Sequence, residues 1–138
     1  MSKRPHRGFP SAWRPVGNDG EDYPDWMREL VDASGVYAIR VPDFTERRVV
    51  YVGESHTGRL AKTIVRHFQA WRRAGDPPYL LKGSNADPGR TYSRSDSEVC
   101  FKICPASQAI AIALQDEWIK KLHPRDNILG ANEEEVPF

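Results

Sequence analysis

The chain has 138 residues, with 20 Lys and Arg against 19 Asp and Glu, 39% hydrophobic and 28% charged residues. The length is that of one domain, and the composition excludes bulk disorder. A formal net charge of +1 excludes a whole-molecule basic signature, so any polyanion must be met by local positive charge.

The longest apolar run, 109–114, is far below the roughly 20 residues that span a bilayer. The basic N-terminus lacks the apolar segment of a secretory signal. No membrane association and a cytoplasmic location are therefore expected. Two cysteines cannot frame a disulfide scaffold or a four-thiolate zinc site.

Residues 1–16 carry Lys3, Arg4, Arg7 and Arg14 without an acid, and Asp19, Glu21, Asp22 and Asp25 follow. Prolines and glycines mark the stretch to about residue 22 as poorly ordered or surface-lying. We read 1–34 as an N-terminal extension to a core at 35–130, within a single domain over 1–138. A short helix is expected over 26–31, capped by Asp25, with Gly35 past its end. Two strands follow at 35–41 and 48–53, rich in β-branched and aromatic residues. The six residues between them are too few for a crossover helix, which makes the pair antiparallel. Both strands are apolar on both faces, so the sheet should be covered on two sides.

A helix over 58–73, capped by Thr57, places Leu60, Ile64, Phe68 and Trp71 on one core-facing stripe. Arg59, Arg66 and Arg73 lie together beside it. No acid interrupts the cations from Arg59 to Arg73, and such a single-sign face points to an anionic partner. Residues 75–97 are turn-rich. Through Lys82, Arg90 and Arg94 they form either a substrate-contacting arm or a disordered loop.

A third strand is expected over 98–105. Cys100 and Cys104 share a face of it but sit roughly 13 Å apart at about 3.3 Å per residue. That is too far for a disulfide, so they read as buried small hydrophobes. A last helix runs over 107–122 and stops before Pro124.

Glu117 stands out on that helix. At 100° per residue, Ile110, Ala113 and Leu114 fall within about 60° of it. A carboxylate in an apolar stripe must be paired or hold a metal. Its partner is then either an arginine of the preceding helix or a cation. Tyr37 and Tyr51 punctuate the first two strands, and Gly53 permits close approach where the second leaves the sheet.

Taken together, Gly35-Val36-Tyr37, Tyr51-Val52-Gly53, a basic helix and the segment from Glu117 through Lys120-Lys121-Leu122-His123-Pro124 to Asn127 resemble the GIY-YIG endonuclease superfamily over about residues 34–130. The resemblance implies a small α+β domain with a three-stranded antiparallel sheet flanked by helices. It implies hydrolysis of DNA phosphodiester bonds with one divalent cation, Mg2+ or Mn2+. Carried over, Glu117 holds the metal, Tyr37 and Tyr51 are active-site phenols, Arg59 clamps phosphate and Asn127 positions.

A tyrosine of ordinary pKa about 10 needs nearby positive charge to act as a base. Tyr37 is the favoured base and Tyr51 the orienting partner, with the roles exchangeable. Two departures stand out. Glu54 replaces the lysine that many members carry after the second triplet, and His56 could supply the missing relay. Arg59, Thr63 and His67 stack at successive turns, so either Arg59 or Arg66 is the clamp. Gly53, Arg66, His67 and Arg73 are assigned to substrate contact. The expected partner is DNA, duplex or branched. With no separate recognition domain, the routes to specificity are weak sequence preference, structure-directed cutting or homodimerisation. The alternative reading is a nucleic-acid-binding module on the same fold that does not cut.

Overall fold

A computed structural model describes residues 12–68 and 92–127. In chain order they form β1 (Arg14–Pro15), α1 (Asp25–Arg28), β2 (Ser34–Asp43), β3 (Glu46–Ser55), α2 (Leu60–Arg66), β4 (Glu98–Cys104) and α3 (Gln108–Leu122). A 3-10 turn at Arg94–Asp96 leads into β4. The architecture is α+β. Its sheet has the order β1-β4-β2-β3, antiparallel throughout, rather than the three strands expected. No helix among the described residues is long and apolar enough to cross a membrane.

The fourth strand ties Arg14 and Pro15, within the stretch expected to be poorly ordered or surface-lying, to the sheet. Arg14 pairs with Val99 and Pro15 with Glu98 at the sheet edge, where a proline costs no ladder bond that a central strand would need. Val16 is fully buried. The Trp26 indole donates to the Pro15 carbonyl at 2.9 Å, and the Arg40 guanidinium lies 4.4 Å over the Trp13 ring. Helix α1 is also shorter than expected. Pro24, not Asp25, occupies its cap position and makes no side-chain capping bond, so Asp25 is the first helical residue.

The hairpin β2–β3 is longer than the two apolar runs, because the separating segment 42–47 is itself mostly strand around the two-residue loop Phe44–Thr45. Phe44 is 100% exposed and has φ +60°. A left-handed first loop residue is where two-residue hairpins favour glycine. Phe44→Gly should raise stability by about 0.5–1 kcal/mol in urea unfolding, the left-handed penalty relieved less the entropy that glycine costs. A loss of stability would show that the phenyl ring is held by a contact after all.

The pairing shifts between Ile39 and Arg40: Ile39 faces Tyr51 while Arg40 faces Val49. Val50 is the extra residue of a bulge, which re-aims the chain locally. Val49 consequently packs with the α3 core, whereas both Val50 and Tyr51 pack on the opposite core. The two-sided cover expected from the strands is present. Leu60, Ile64 and Phe68 of the α2 segment join Trp26, Met27, Tyr37 and Ile39 on one face. Trp118 of α3 covers Val36, Ala38, Val52 and Cys100 on the other.

Helix α2 begins at Leu60 and is not capped by Thr57. Its entry is set by two buried hydroxyls instead. Ser55 Oγ accepts from the Arg59 amide at 3.2 Å, and Ser34 Oγ accepts from the Gly58 amide at 2.9 Å. Trp71, Arg73, Lys82 and Arg90 lie outside the described residues.

Strand β4 and helix α3 match expectation closely, and the Ser107 hydroxyl caps α3 by accepting from the Ile110 amide. Cys100 and Cys104 are both free. Burial pushes the Cys100 thiol up to about 12, as suits a small core residue.

Candidate active site

Three of the sequence-selected residues meet on the α1/α2 face of the sheet. Tyr37 in β2 stands opposite Gly53 in β3, and its hydroxyl is 2.7 Å from His67 Nε2. Tyr51 lies against the same imidazole, with ring centroids 4.6 Å apart, and 6.1 Å from the Tyr37 ring. His67 reaches this place as the residue that ends α2, its amide bonded to the Ile64 carbonyl at 3.0 Å. Tyr37 is 1% exposed and His67 is buried, whereas Tyr51 is half-buried. A buried phenol cannot meet a phosphate, so Tyr51, rather than the favoured Tyr37, is the phenol open to a ligand. Tyr37 and His67 pack against it.

Gly53 takes a different part from the substrate contact expected of it. It is buried beneath the Tyr37 ring, and a Cβ there would stand 2.5 Å from Tyr37 Cζ and 2.9 Å from Cε1. The close approach that the glycine permits is that of Tyr37 itself. Gly53→Ala should therefore cost about 1–3 kcal/mol, the usual penalty of forcing extra volume into a packed core. It should also push the phenol off His67. A denaturation midpoint equal to wild type would show that the ring has room to retreat. Gly35 is constrained in the same way by the β4 backbone, since its Cβ would meet Lys102 and Ile103.

Asn127 is bonded to the main chain of Val52. Its Oδ1 accepts from the Val52 amide at 2.9 Å and its Nδ2 donates to the Val52 carbonyl at 3.0 Å. The Arg125 and Asp126 amides bond the carbonyls of Val49 and Val50 at 3.1 and 2.8 Å. These residues together hold the otherwise open edge of β3 on either side of Tyr51.

Two further members have no local sequence signal. Tyr92 bonds the His67 carbonyl through its amide at 2.7 Å, and its ring lies 6.0 Å from the imidazole. Its hydroxyl donates to Asp126 Oδ2 at 2.7 Å. Burial, and then that carboxylate, hold the Tyr92 phenol well above its ordinary pKa. It stays a neutral donor.

Arg59 is exposed at the start of α2 and Arg66 is half-buried at its end. Burial, followed by the Arg59 charge, pulls the Arg66 guanidinium below its ordinary value. The pair thus forms a cationic flank on which an anion is favoured. His56 bonds Glu54 through Nδ1 at 3.1 Å. Glu54 is buried and stands opposite Val36, on the α3 side of the sheet. Arg94 is not on a substrate arm. It is buried, donating to the carbonyls of Glu21, Val16 and Asp22.

Glu117 requires the largest correction. The helix face that packs on the sheet carries Ala111, Gln115 and Trp118, all buried, while Ile110 is exposed. The expected stripe through Ile110 and Ala113 is therefore on the outer side. The buried polar residue of α3 is Gln115, and the Glu117 side chain is 51% exposed, with Lys121 Nζ 3.7 Å from its carboxylate. Since α3 packs on Val36, Ala38 and Val52, it covers the face opposite the phenols. No three potential metal-ligating side chains gather among the described residues. A cation shared by Glu117 and the phenols, as the resemblance implies, does not fit this placement.

The arrangement offers two cations on α2 and, on the sheet face that α2 covers, a half-buried Tyr51 backed by a phenol–imidazole pair. Compared with protein-family models, with curated proteins and with solved structures, the chain gives no match in any of the three comparisons.

Proposed function

We propose that this chain is a nuclease of GIY-YIG type that binds the nucleic-acid backbone and hydrolyses its phosphodiester bonds beside Tyr51. The observation that carries the reading is the meeting of Tyr51, His67 and Tyr37 on one face, with the Arg59 and Arg66 charges on the helix that delivers His67. An arginine clamps the non-bridging phosphate oxygens through charge-assisted hydrogen bonds. Tyr51 orients or deprotonates the attacking water, the part that a positioned acid–base side chain takes. Tyr37 and His67 fix the ring by packing and hydrogen bonding. A divalent cation in the resembled family acts as a Lewis acid on the phosphoryl oxygen. Glu117 lies on the other face of the sheet, and no step here runs through it.

That displacement of Glu117 favours one second reading, a module that binds nucleic acid without cutting. Both readings are tested by incubating supercoiled plasmid with the protein in Mg2+ and in Mn2+, beside anisotropy binding to a labelled duplex at rising salt. Nicking by wild type and by Glu117→Ala alike supports the nuclease reading as drawn here. Salt-sensitive binding that weakens in the Arg59→Ala/Arg66→Ala variant without any nicking supports the module. Absence of both overturns the two together.

A further inference from the structure

A groove of about 520 Å3 opens between α1 and α2, and nothing in the phenol cluster accounts for it. Tyr23, Met27, Val31, Ala61 and Val65 make its apolar walls. Val31 at its lip is 60% exposed and extends the apolar wall to the surface. Among the described residues, Arg28, Lys62 and Arg66 face it together with the acid Asp22, and Asp25 offsets Arg28 at 3.1 Å. One wall is rigidly built. The Arg94 guanidinium lies 4.1 Å over the Tyr23 ring, and the Asp22 carbonyl accepts from the same side chain at 3.4 Å.

A slot with apolar walls and a cationic edge suits a ligand with a flat, weakly polar body and an anionic end. Its volume lies within the roughly 300–1,000 Å3 of small-ligand sites. Arg66 belongs both to this groove and to the Arg59–Arg66 pair of α2, so a chain bound at that pair continues into the groove. We infer that the groove takes one unpaired nucleotide of a nucleic-acid strand, with the base against Tyr23, Val31 and Val65 and the phosphate toward Lys62 and Arg66. A base held in a duplex stack could not enter. The groove would therefore direct the protein to ends, flaps and branches. The inference rests on the nucleic-acid reading above.

The test compares the affinity of the full chain for hexathymidylate with that for a hexamer of the same charge built from abasic tetrahydrofuran units. Stacking on an aromatic wall is sequence-tolerant and needs a base, so wild type should bind the thymidylate about tenfold more tightly. Ala61→Phe, which fills the groove without changing charge, should bring the ratio near one. Val31→Ser, at an exposed position that does not threaten folding, should lower it about threefold. A wild-type ratio near one, or a ratio that neither variant changes, overturns the groove while duplex binding leaves the nucleic-acid reading standing. Failure of both hexamers and of duplex overturns both. An octaglutamate peptide that binds as tightly as the thymidylate would assign the groove to an acidic protein segment and likewise overturn the inference.

Discussion

Tyr51→Phe is expected to slow plasmid nicking by about 100-fold or more, the scale on which a positioned acid–base group contributes, while the denaturation midpoint barely moves. The side chain is half-buried, so its ring can stay packed against His67 when the hydroxyl is lost. Tyr37→Phe should behave differently. Tyr37 is 1% exposed and its hydroxyl bonds His67 Nε2 at 2.7 Å, so its removal should cost about 1–3 kcal/mol of stability by leaving a buried polar group short of a bond. Rate would fall with the loosened imidazole. The contrast between one variant that loses rate alone and another that loses both separates the group at the phosphate from the group that holds it. A Tyr51→Phe protein that nicks within about threefold of wild type would remove Tyr51 from the chemistry.

The second large effect is structural. Arg94→Met should destabilise the protein by about 3–5 kcal/mol in urea unfolding. Arg94 is buried, and its charge is met by three main-chain carbonyls and the Tyr23 ring. Methionine replaces the aliphatic stem but leaves the Val16, Glu21 and Asp22 carbonyls without these donors, each a cost of order 1–3 kcal/mol where water cannot enter. The cation–π contact is lost as well. Because those carbonyls belong to the segment that follows β1, the variant should also expose the N-terminal segment to protease sooner than wild type. A change below about 0.5 kcal/mol would mean that the segment is held by Val16 and Trp26 alone.

Local period explains which parts were readable. The hairpin and β4 announce themselves by β-branched runs, and α3 by its proline stop. The triplets that carry the resemblance proved to be steric units: Gly53 exists where the Tyr37 ring crosses the strand. The phase of α3 was not readable, because residues 109–114 are apolar on every side of the helix. Any face could have been taken as inner, and packing of Trp118 selected the one that carries Gln115 and turns Glu117 outward. Strand β1 is two residues long and contains proline, too little for any pattern to show. Arg94 looked like a loop charge because the carbonyls it serves lie more than 70 residues earlier. Tyr92 and Asp126 meet across 34 residues of chain, a pairing that only tertiary structure makes. The bulge at Val50 is similarly silent in sequence, yet without it Tyr51 and Val49 would share a face.

One measurement bears most directly on whether phosphate is handled at the aromatic face. Ring-labelled tyrosine, histidine and tryptophan resonances, followed by NMR as a short duplex with an unpaired end is added, should shift first at Tyr51 and His67, and Trp118 on the covered α3 side should stay still. Shifts confined to residues of α3, with Tyr51 and His67 unmoved at saturation, would contradict the account.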